Sequence, residues 1–340
     1  MKVIILVSAL FALAAGRAGV GPGEQDWGYV TVRPGAHMFY WLYYHSQTTS
    51  QPLVIWLQGG PGASSTGYGN FEELGIVDTE LNVRNNSWVN HVNVLFIDNP
   101  VGTGFSYVDS SNLYTTTNVE IAVDLVSFMR EFLKVHPEFK TVPLYIFSES
   151  YGGKMAAEFA LALHQGMVDT DGYKAIDEYA QRTKAALDAG EFYEATNLWG
   201  DTEMVIDAVT GGIDFYNILY EMSSYRKHMT QIGITFKIVI SVELLLEETD
   251  LTVCVFTGQL DLIVDTPGTL LWAERMQWSG SQNWLNAERT PLTVNGIIQG
   301  YKKTYGNFYF YWLLRSGHMV PTDNPHGALK MLQEITNYTK

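Results

Sequence analysis

The sequence predicts an α/β fold: a mostly parallel central sheet, helices on its faces, and a helical insertion in the middle of the chain. Three observations predict it. Short continuous apolar runs of strand length stand at 53–57, 92–97 and 144–147. Unbroken apolarity, without alternation, marks strands covered on both faces. The stretch 117–136 joins the last two runs with helical spacing (Val119, Ala122, Val123, Val126, Met129, Leu133) and has Pro137 just beyond it. Strand, helix and strand in that order give a parallel pair with a right-handed crossover.

The remaining elements follow in order. Residues 30–32 and 38–44 are rich in aromatic and β-branched types and read as antiparallel strands. In the last third, 253–257 reads as a strand, 267–277 as a helix, 308–314 as a strand and 325–336 as a closing helix. Between them, 167–237 has no convincing buried strand. Two polar amphipathic helices are expected there, at 173–187 and 191–209. The expected organisation is a body of 17–165 and 238–340 with a helical cap, 166–237, inserted.

Composition narrows the function. With 340 residues, 46% of them hydrophobic and 17% charged, the chain can bury a core, which excludes a disordered or fibrous protein. Asp and Glu outnumber Lys and Arg by 36 to 21, for a net charge of −15, which argues against nucleic acid as a partner. Cys254 is the one cysteine, so no intramolecular disulfide and no cysteine-built zinc site can form. No metal or cofactor is expected, and no oligomeric state is indicated. At the start, Met1-Lys2 precedes an apolar run, 3–15, broken by Ser8 and ending among Ala12, Ala14, Ala15 and Gly16. This fits a secretory signal peptide over 1–16, too short for the ~20 residues that span a bilayer. No other stretch is long and apolar enough to suggest an integral membrane segment. Sequons at Asn85 and Asn337 make these candidate glycosylation sites.

The chemistry centres on Leu144-Tyr-Ile-Phe-Ser-Glu-Ser150-Tyr-Gly-Gly-Lys154. An apolar strand runs into a small-x-Ser-x-Gly turn and then into good helix formers, which is the context of a nucleophile elbow. Ser150 is the candidate nucleophile. Tyr151 offers a backbone N–H at the helix start as an oxyanion donor. A base and its orienting acid should follow in the order acid, then His, each after a strand. Of the histidines beyond Ser150, His164 sits on the departing helix, His228 in the insertion and His326 within the closing helix. His318, in a loop after a strand, is the candidate base. Asp261, after the strand at 253–257, is the candidate acid, with Asp265 a weaker neighbour. The turn Gln58-Gly59-Gly60-Pro61-Gly62 leaves another strand, and Gly60 is the candidate second oxyanion donor.

With these residues located, the sequence resembles the serine carboxypeptidase family. The blocks that carry the resemblance are Trp56-Leu-Gln-Gly-Gly-Pro-Gly-Ala-Ser-Ser65, Phe71-Glu-Glu-Leu-Gly75, Phe96-Ile-Asp-Asn-Pro-Val-Gly-Thr-Gly-Phe-Ser-Tyr107, Ser148-Glu-Ser-Tyr-Gly-Gly153, Gly258-Gln-Leu-Asp261 and Gly317-His-Met-Val-Pro321, in the family's order. Gln58, the absence of a cysteine after Gly62, and 191–200 are most similar to its retinoid-inducible branch. The resemblance implies an α/β-hydrolase fold and an acyl-enzyme exopeptidase that releases C-terminal residues from peptides, often at acid pH, in lysosomes or outside the cell. It implies Ser150, Asp261 and His318 as triad, and Gly60 and Tyr151 as oxyanion hole. It implies Gln58, Glu73 and Glu149 as binders of the substrate's carboxylate, with Glu72 as the alternative to Glu73.

The chain departs from the family in length. Family members carry a buried strand after the elbow helix, where this chain runs from Gly166 into Met167-Val-Asp-Thr-Asp-Gly-Tyr173, and more cap between about 225 and 240. A missing strand beside the nucleophile strand leaves an open edge or an altered pairing. Two alternatives to the working peptidase therefore stand: a catalytically impaired family member, and an esterase or acyltransferase on the same triad.

Overall fold

The computed structural model describes residues 19–45, 51–164, 179, 182–186, 189–198, 201 and 235–337. The signal-peptide stretch, His228 and most of the expected cap lie outside the described residues. Short helical stretches at 182–186 and 192–198 fall within the two amphipathic helices expected there.

Among the described residues ten strands form two sheets. The first has the order β1-β2-β4-β3-β6, from β1 (Gln25–Arg33), β2 (Ala36–Tyr43), β3 (Leu53–Leu57), β4 (Asn93–Ile97) and β6 (Leu144–Ser148), with the short β5 (Tyr107–Val108) paired to β2. The hairpin β1–β2 is antiparallel, while β4–β3–β6 run parallel. β3 and β4 are buried at every position, as their unbroken apolarity predicts. Alternate β3 residues go to opposite layers. Leu53, Ile55 and Leu57 pack with Leu125, Phe128 and Phe132 of α1 (Asn118–Val135) and with Met155 and Phe159 of α2 (Gly152–His164). Val54 and Trp56 pack with Trp88, Met331, Leu332 and the rest of the other layer. α1 begins on a capping box in which Thr117 and Glu120 satisfy each other's backbone N–H groups, and it ends at His136, before Pro137.

The second sheet has the order β7-β10-β9-β8, from β7 (Val253–Gly258), β8 (Arg289–Val294), β9 (Ile297–Tyr305) and β10 (Phe308–Leu313). β7 and β10 are parallel, with Asp261 and His318 in the loops that follow them. The β8–β9 hairpin turns on Asn295 and Gly296, both at positive φ (50° and 77°), which is the Asn-Gly signature of a two-residue turn.

Among the described residues no strand pairs β6 with β7, so the parallel order is broken between the strand that leads to Ser150 and the strand that leads to Asp261. Both strands bear the mark of an edge. Leu144 is 39% exposed, Tyr145 and Ile146 are half-buried, and so are Val253 through Phe256. Side chains hold the two halves together in place of a backbone ladder. Tyr145 and Phe147 of the first sheet share a core with Cys254, Phe256, Tyr311 and Leu313 of the second. Ser241 of the helix Thr235–Glu248 donates to Glu158 of α2 (3.0 Å). Thr322 donates to the main-chain carbonyl of Glu72 (3.0 Å).

Candidate active site

β6 ends at Ser148, and the chain turns through Glu149-Ser150-Tyr151 into α2. Ser150 has φ 57°, a left-handed conformation costly for a residue with a Cβ, and its side chain is exposed. The turn is pinned by Glu149 N–H on Leu57 O (3.2 Å) and Gly152 N–H on Glu149 O (2.8 Å). A Cβ at Gly152 would lie 2.4 Å from Leu57 O and 3.1 Å from the Ser148 Cβ. The motif's last glycine is therefore obligatory.

The loop after β3 meets this turn. A Cβ at Gly59 would lie 2.7 Å from the Ser150 Cβ, 2.8 Å from Glu149 O and 3.0 Å from Tyr151 N. Only a bare backbone can come this close. Gly60 (φ 109°) follows, exposed, and Ala63 N–H closes the loop on Gly59 O (3.0 Å). Among the described residues the N–H groups of Gly60 and Tyr151 have no acceptor. Asp98, fully buried, fixes the same loop by accepting from Ser64 Oγ (2.7 Å), Thr66 N (3.0 Å), Thr66 Oγ1 (2.8 Å) and Phe105 N (2.9 Å).

Asp261 and His318 meet across the second sheet. Asp261 Oδ2 is 2.8 Å from His318 Nδ1, and its Oδ1 accepts from Ile263 N and Val264 N, both at 3.0 Å. The carboxylate is thus aimed before the imidazole is considered. The two loops are also joined by backbone, through Leu260 N–H on Ser316 O (2.7 Å) and Gln259 N–H on Leu313 O (2.8 Å). A Cβ at Gly258 would lie 2.0 Å from Gly317 O. Asp265, the weaker neighbour, instead caps the helix Thr266–Arg275 through Gly268 N. Among the described residues the Ser150 hydroxyl makes no hydrogen bond to His318. That link remains open, as such contacts often do before substrate binds. The charge of His318 acts on Glu73 and that of Asp261 on Glu149, the residue before Ser150.

Beside the elbow, two carboxyls and an amide are buried together. Gln58 Nε2 donates to Glu73 Oε1 (2.8 Å) and to Glu149 Oε1 (3.1 Å), while Gln58 Oε1 accepts from Trp56 Nε1 (2.7 Å), which fixes the amide's orientation. Glu73 is 2% and Glu149 5% exposed, so Glu73 is no solvated surface acid. Glu72 is exposed, which separates it from its neighbour. Among the described residues the second oxygens, Glu73 Oε2 and Glu149 Oε2, are buried without a hydrogen-bond partner. Burial pushes both carboxyls above the ordinary range. For Glu149 the neighbouring Glu73, then Asp261 and Asp323, push further; for Glu73, hydrogen bonds from Glu149 and Gln58 and the charges of His318 and Arg84 oppose the rise. Such a pair keeps at least one proton and can donate it in a hydrogen bond to an incoming anion.

Sequence reasoning missed the element that carries Glu73. Ser65–Leu74 is a π-helix, N-capped by Ser64, and the wide turn lets Gly69 lie against Trp56 and Gln58, where a Cβ would be 2.4 Å from Trp56 Nε1. Only the run of small residues at 62–67 hints at it. Gly59, Asp98 and Thr322 were also missed, since their roles exist only once distant loops meet.

The family model described as serine carboxypeptidase matches residues 18–177 and 220–338. The retinoid-inducible serine carboxypeptidase of Rattus norvegicus is 34% identical over an alignment of 436 positions, covering 98% of this chain and 96% of that protein. Serine carboxypeptidase-like 51 of Arabidopsis thaliana is 30% identical, covering 92% of each. The alignment to the rat protein runs longer than the 340 residues of this chain, so that relative carries internal segments without counterpart here. Among solved structures, Kex1, a prohormone-processing carboxypeptidase of Saccharomyces cerevisiae, superposes with a TM-score of 0.63 at 18% identity, over 93% of this chain and 91% of that one.

Proposed function

Because the chain belongs to the serine carboxypeptidase family, we propose that Ser150, His318 and Asp261 carry its reaction and that Gln58, Glu73 and Glu149 receive the substrate's terminal carboxylate. The chain is a serine-type carboxypeptidase, a hydrolase of peptides on an α/β-hydrolase fold. Ser150 Oγ attacks the carbonyl carbon of the last peptide bond while His318 Nε2 takes its proton, and Asp261 steadies the imidazolium through Nδ1. The oxyanion is met by the N–H groups of Gly60 and Tyr151, each such donor being worth about 3–4 kcal/mol of barrier. His318 returns the proton to the departing amine, which leaves as the free C-terminal amino acid. Water, deprotonated by the same imidazole, then releases the acyl group from Ser150.

The observation that carries this reading is the buried Glu73–Gln58–Glu149 cluster beside the elbow. Hydrogen-bond donors sunk in a protonated carboxyl pair suit a free carboxylate and offer nothing to an ester tail. The pH dependence follows from the sign of the shifts. Both carboxyls are raised in the folded protein, so their protons, and the stability linked to them, are fully in place below the unfolded-state carboxyl pKa. Both are lost as pH climbs through the raised values. Glu149→Ala should raise KM for peptides with a free C-terminus about ten- to a hundredfold, the cost of one charge-assisted hydrogen bond. Cleavage of C-terminally blocked peptides should be spared. Glu149→Gln keeps a donor and should flatten the loss of binding at higher pH. Steady-state kinetics on paired free-acid and amide substrates between pH 4 and 8 checks this; equal losses on both substrates would remove the carboxylate role.

The peptide substrate, the acidic net charge of −15 and the leader-like N-terminus support a secreted or lysosomal protein that does not bind nucleic acid. Asn85 and Asn337, both exposed, are the proposed glycan acceptors. No helix among the described residues is long and apolar enough to cross a membrane.

A further inference from the structure

The π-helix that carries Glu73 ends on a cation. Gly75 N–H closes its last wide turn on Asn70 O (2.9 Å). The chain then makes a short excursion in which Val77 bridges Val83 and Asp78 Oδ1 holds Glu80 N (3.0 Å) and Asn82 N (2.8 Å). This excursion returns Arg84 to the helix end. The half-buried guanidinium there donates from Nη2 to Phe71 O (2.7 Å) and from Nη1 to Gly75 O (2.9 Å), Val77 O (3.1 Å) and Asn70 O (3.4 Å). All four acceptors are main-chain carbonyls: Asn70 and Phe71 in the last turn, Gly75 at the cap and Val77 just beyond it; at such a C-terminal end carbonyls lack helical partners and a positive charge is favoured. A planar fork of N–H groups can serve several of them at once; an ammonium, with one nitrogen on a flexible stem, cannot do so in the same geometry. π-helical turns are rare and short, so the element that presents Glu73 depends on how its end is held.

We infer that Arg84 is a positioning residue for carboxylate recognition: by clamping the carbonyls of Asn70, Phe71, Gly75 and Val77 it holds Glu73 in register with Gln58 and Glu149, and so sets the affinity for a free C-terminus without touching the substrate. The inference rests on the reading that Gln58, Glu73 and Glu149 receive that carboxylate. Arg84 also stands close enough for its charge to act on Glu73, so it bears on the pair electrostatically as well as mechanically.

The test uses the full chain, its Arg84→Gln and Arg84→Lys variants, and Glu73→Ala for comparison. Each is assayed on an N-blocked dipeptide with a free C-terminus and on the same dipeptide as its C-terminal amide, with thermal unfolding measured in parallel. Arg84→Gln should raise KM for the free acid about tenfold, the scale of a displaced charge-assisted contact. Its kcat should stay within about twofold and its kcat/KM on the amide should be unchanged, because the triad and oxyanion loop are untouched. Arg84→Lys should fall between it and the wild type. Should Arg84→Gln fail to fold, the acid-to-amide ratio of the lysine variant carries the test. Equal losses on acid and amide, or a fall in kcat with KM constant, would reduce Arg84 to a plain structural residue. If Glu73→Ala discriminates acid from amide and the Arg84 variants do not, the inference about Arg84 fails alone. If Glu73→Ala does not discriminate either, the carboxylate reading fails and takes the inference with it.

Discussion

Asp261→Asn should lower kcat about 10⁴-fold, the scale seen when the acid of such a triad is made neutral, with little change in KM. The reason lies in the geometry of one contact. Asp261 Oδ2 is 2.8 Å from His318 Nδ1, and its other oxygen is already held by the backbone N–H groups of residues 263 and 264. An asparagine in the same pose either turns its amide toward the imidazole, which imposes the wrong tautomer on His318, or turns it toward two N–H donors and leaves them facing another donor. The first arrangement puts the proton on Nε2, which then cannot accept from Ser150; the second keeps Nε2 free only by setting a third donor against the N–H groups of residues 263 and 264, which disfavours it. Burst and steady-state kinetics on a chromogenic ester and on a peptide should show the same loss for both, since both pass through the same base. A loss below about tenfold would mean that His318 finds its orientation elsewhere.

Gly59→Ala should cost about 10²–10³ in kcat. Its added methyl would sit 2.7 Å from the Ser150 Cβ, 2.8 Å from Glu149 O and 3.0 Å from Tyr151 N. These are backbone and Cβ positions, with no flexible side-chain end that could swing aside. The backbone at Gly59 has no left-handed φ to forbid alanine, so the whole effect is one of space. Either the loop that bears Gly60 or the elbow that bears Ser150 must retreat, and a displacement of ~1 Å between nucleophile and oxyanion donors is worth about a hundredfold in rate. Esters and peptides should suffer alike, unlike the Glu149 and Arg84 variants, whose losses depend on a free carboxylate. Retention of near wild-type kcat on a folded Gly59→Ala protein would show that the close approach has no part in catalysis.

Much of this architecture is legible in the sequence because local pattern and tertiary fate agree. The continuous apolar runs of β3 and β4 are buried on both faces, and the box of Thr117 and Glu120 opens α1 at the expected place. Ser150 and Asp261 stand out because each follows an apolar strand, and His318 because the other histidines beyond Ser150 fall on helices or in the insertion. Local pattern has less to say where contacts between distant segments decide. β6 reads as covered on both faces, yet Leu144 is 39% exposed: an apolar run says that a strand can be buried, and its neighbours say whether it is. The Asn295-Gly296 turn of the β8–β9 hairpin was available as a signal and went unread beneath the polar character of both strands. The π-helix has no periodicity of its own, so nothing in residues 65–74 alone distinguishes buried Glu73 from exposed Glu72. The family block supplied that choice, and the burial explains it. Arg84 lies outside every block, and its role depends on four carbonyls that only the folded chain gathers.

Among the described residues the sheet is divided between the strand that leads to Ser150 and the strand that leads to Asp261, and a shared side-chain core and a few cross-contacts span the division. We propose that these contacts keep the Asp261–His318 pair close enough to the elbow for Ser150 to react. Covalent capture by a fluorophosphonate probe tests this most directly, because it needs an activated serine and no particular leaving residue. Wild-type protein should be labelled stoichiometrically at Ser150, and Ser150→Ala should not be labelled at all. Wild-type protein that unfolds cooperatively on heating, and is therefore folded, but takes up no label would contradict it.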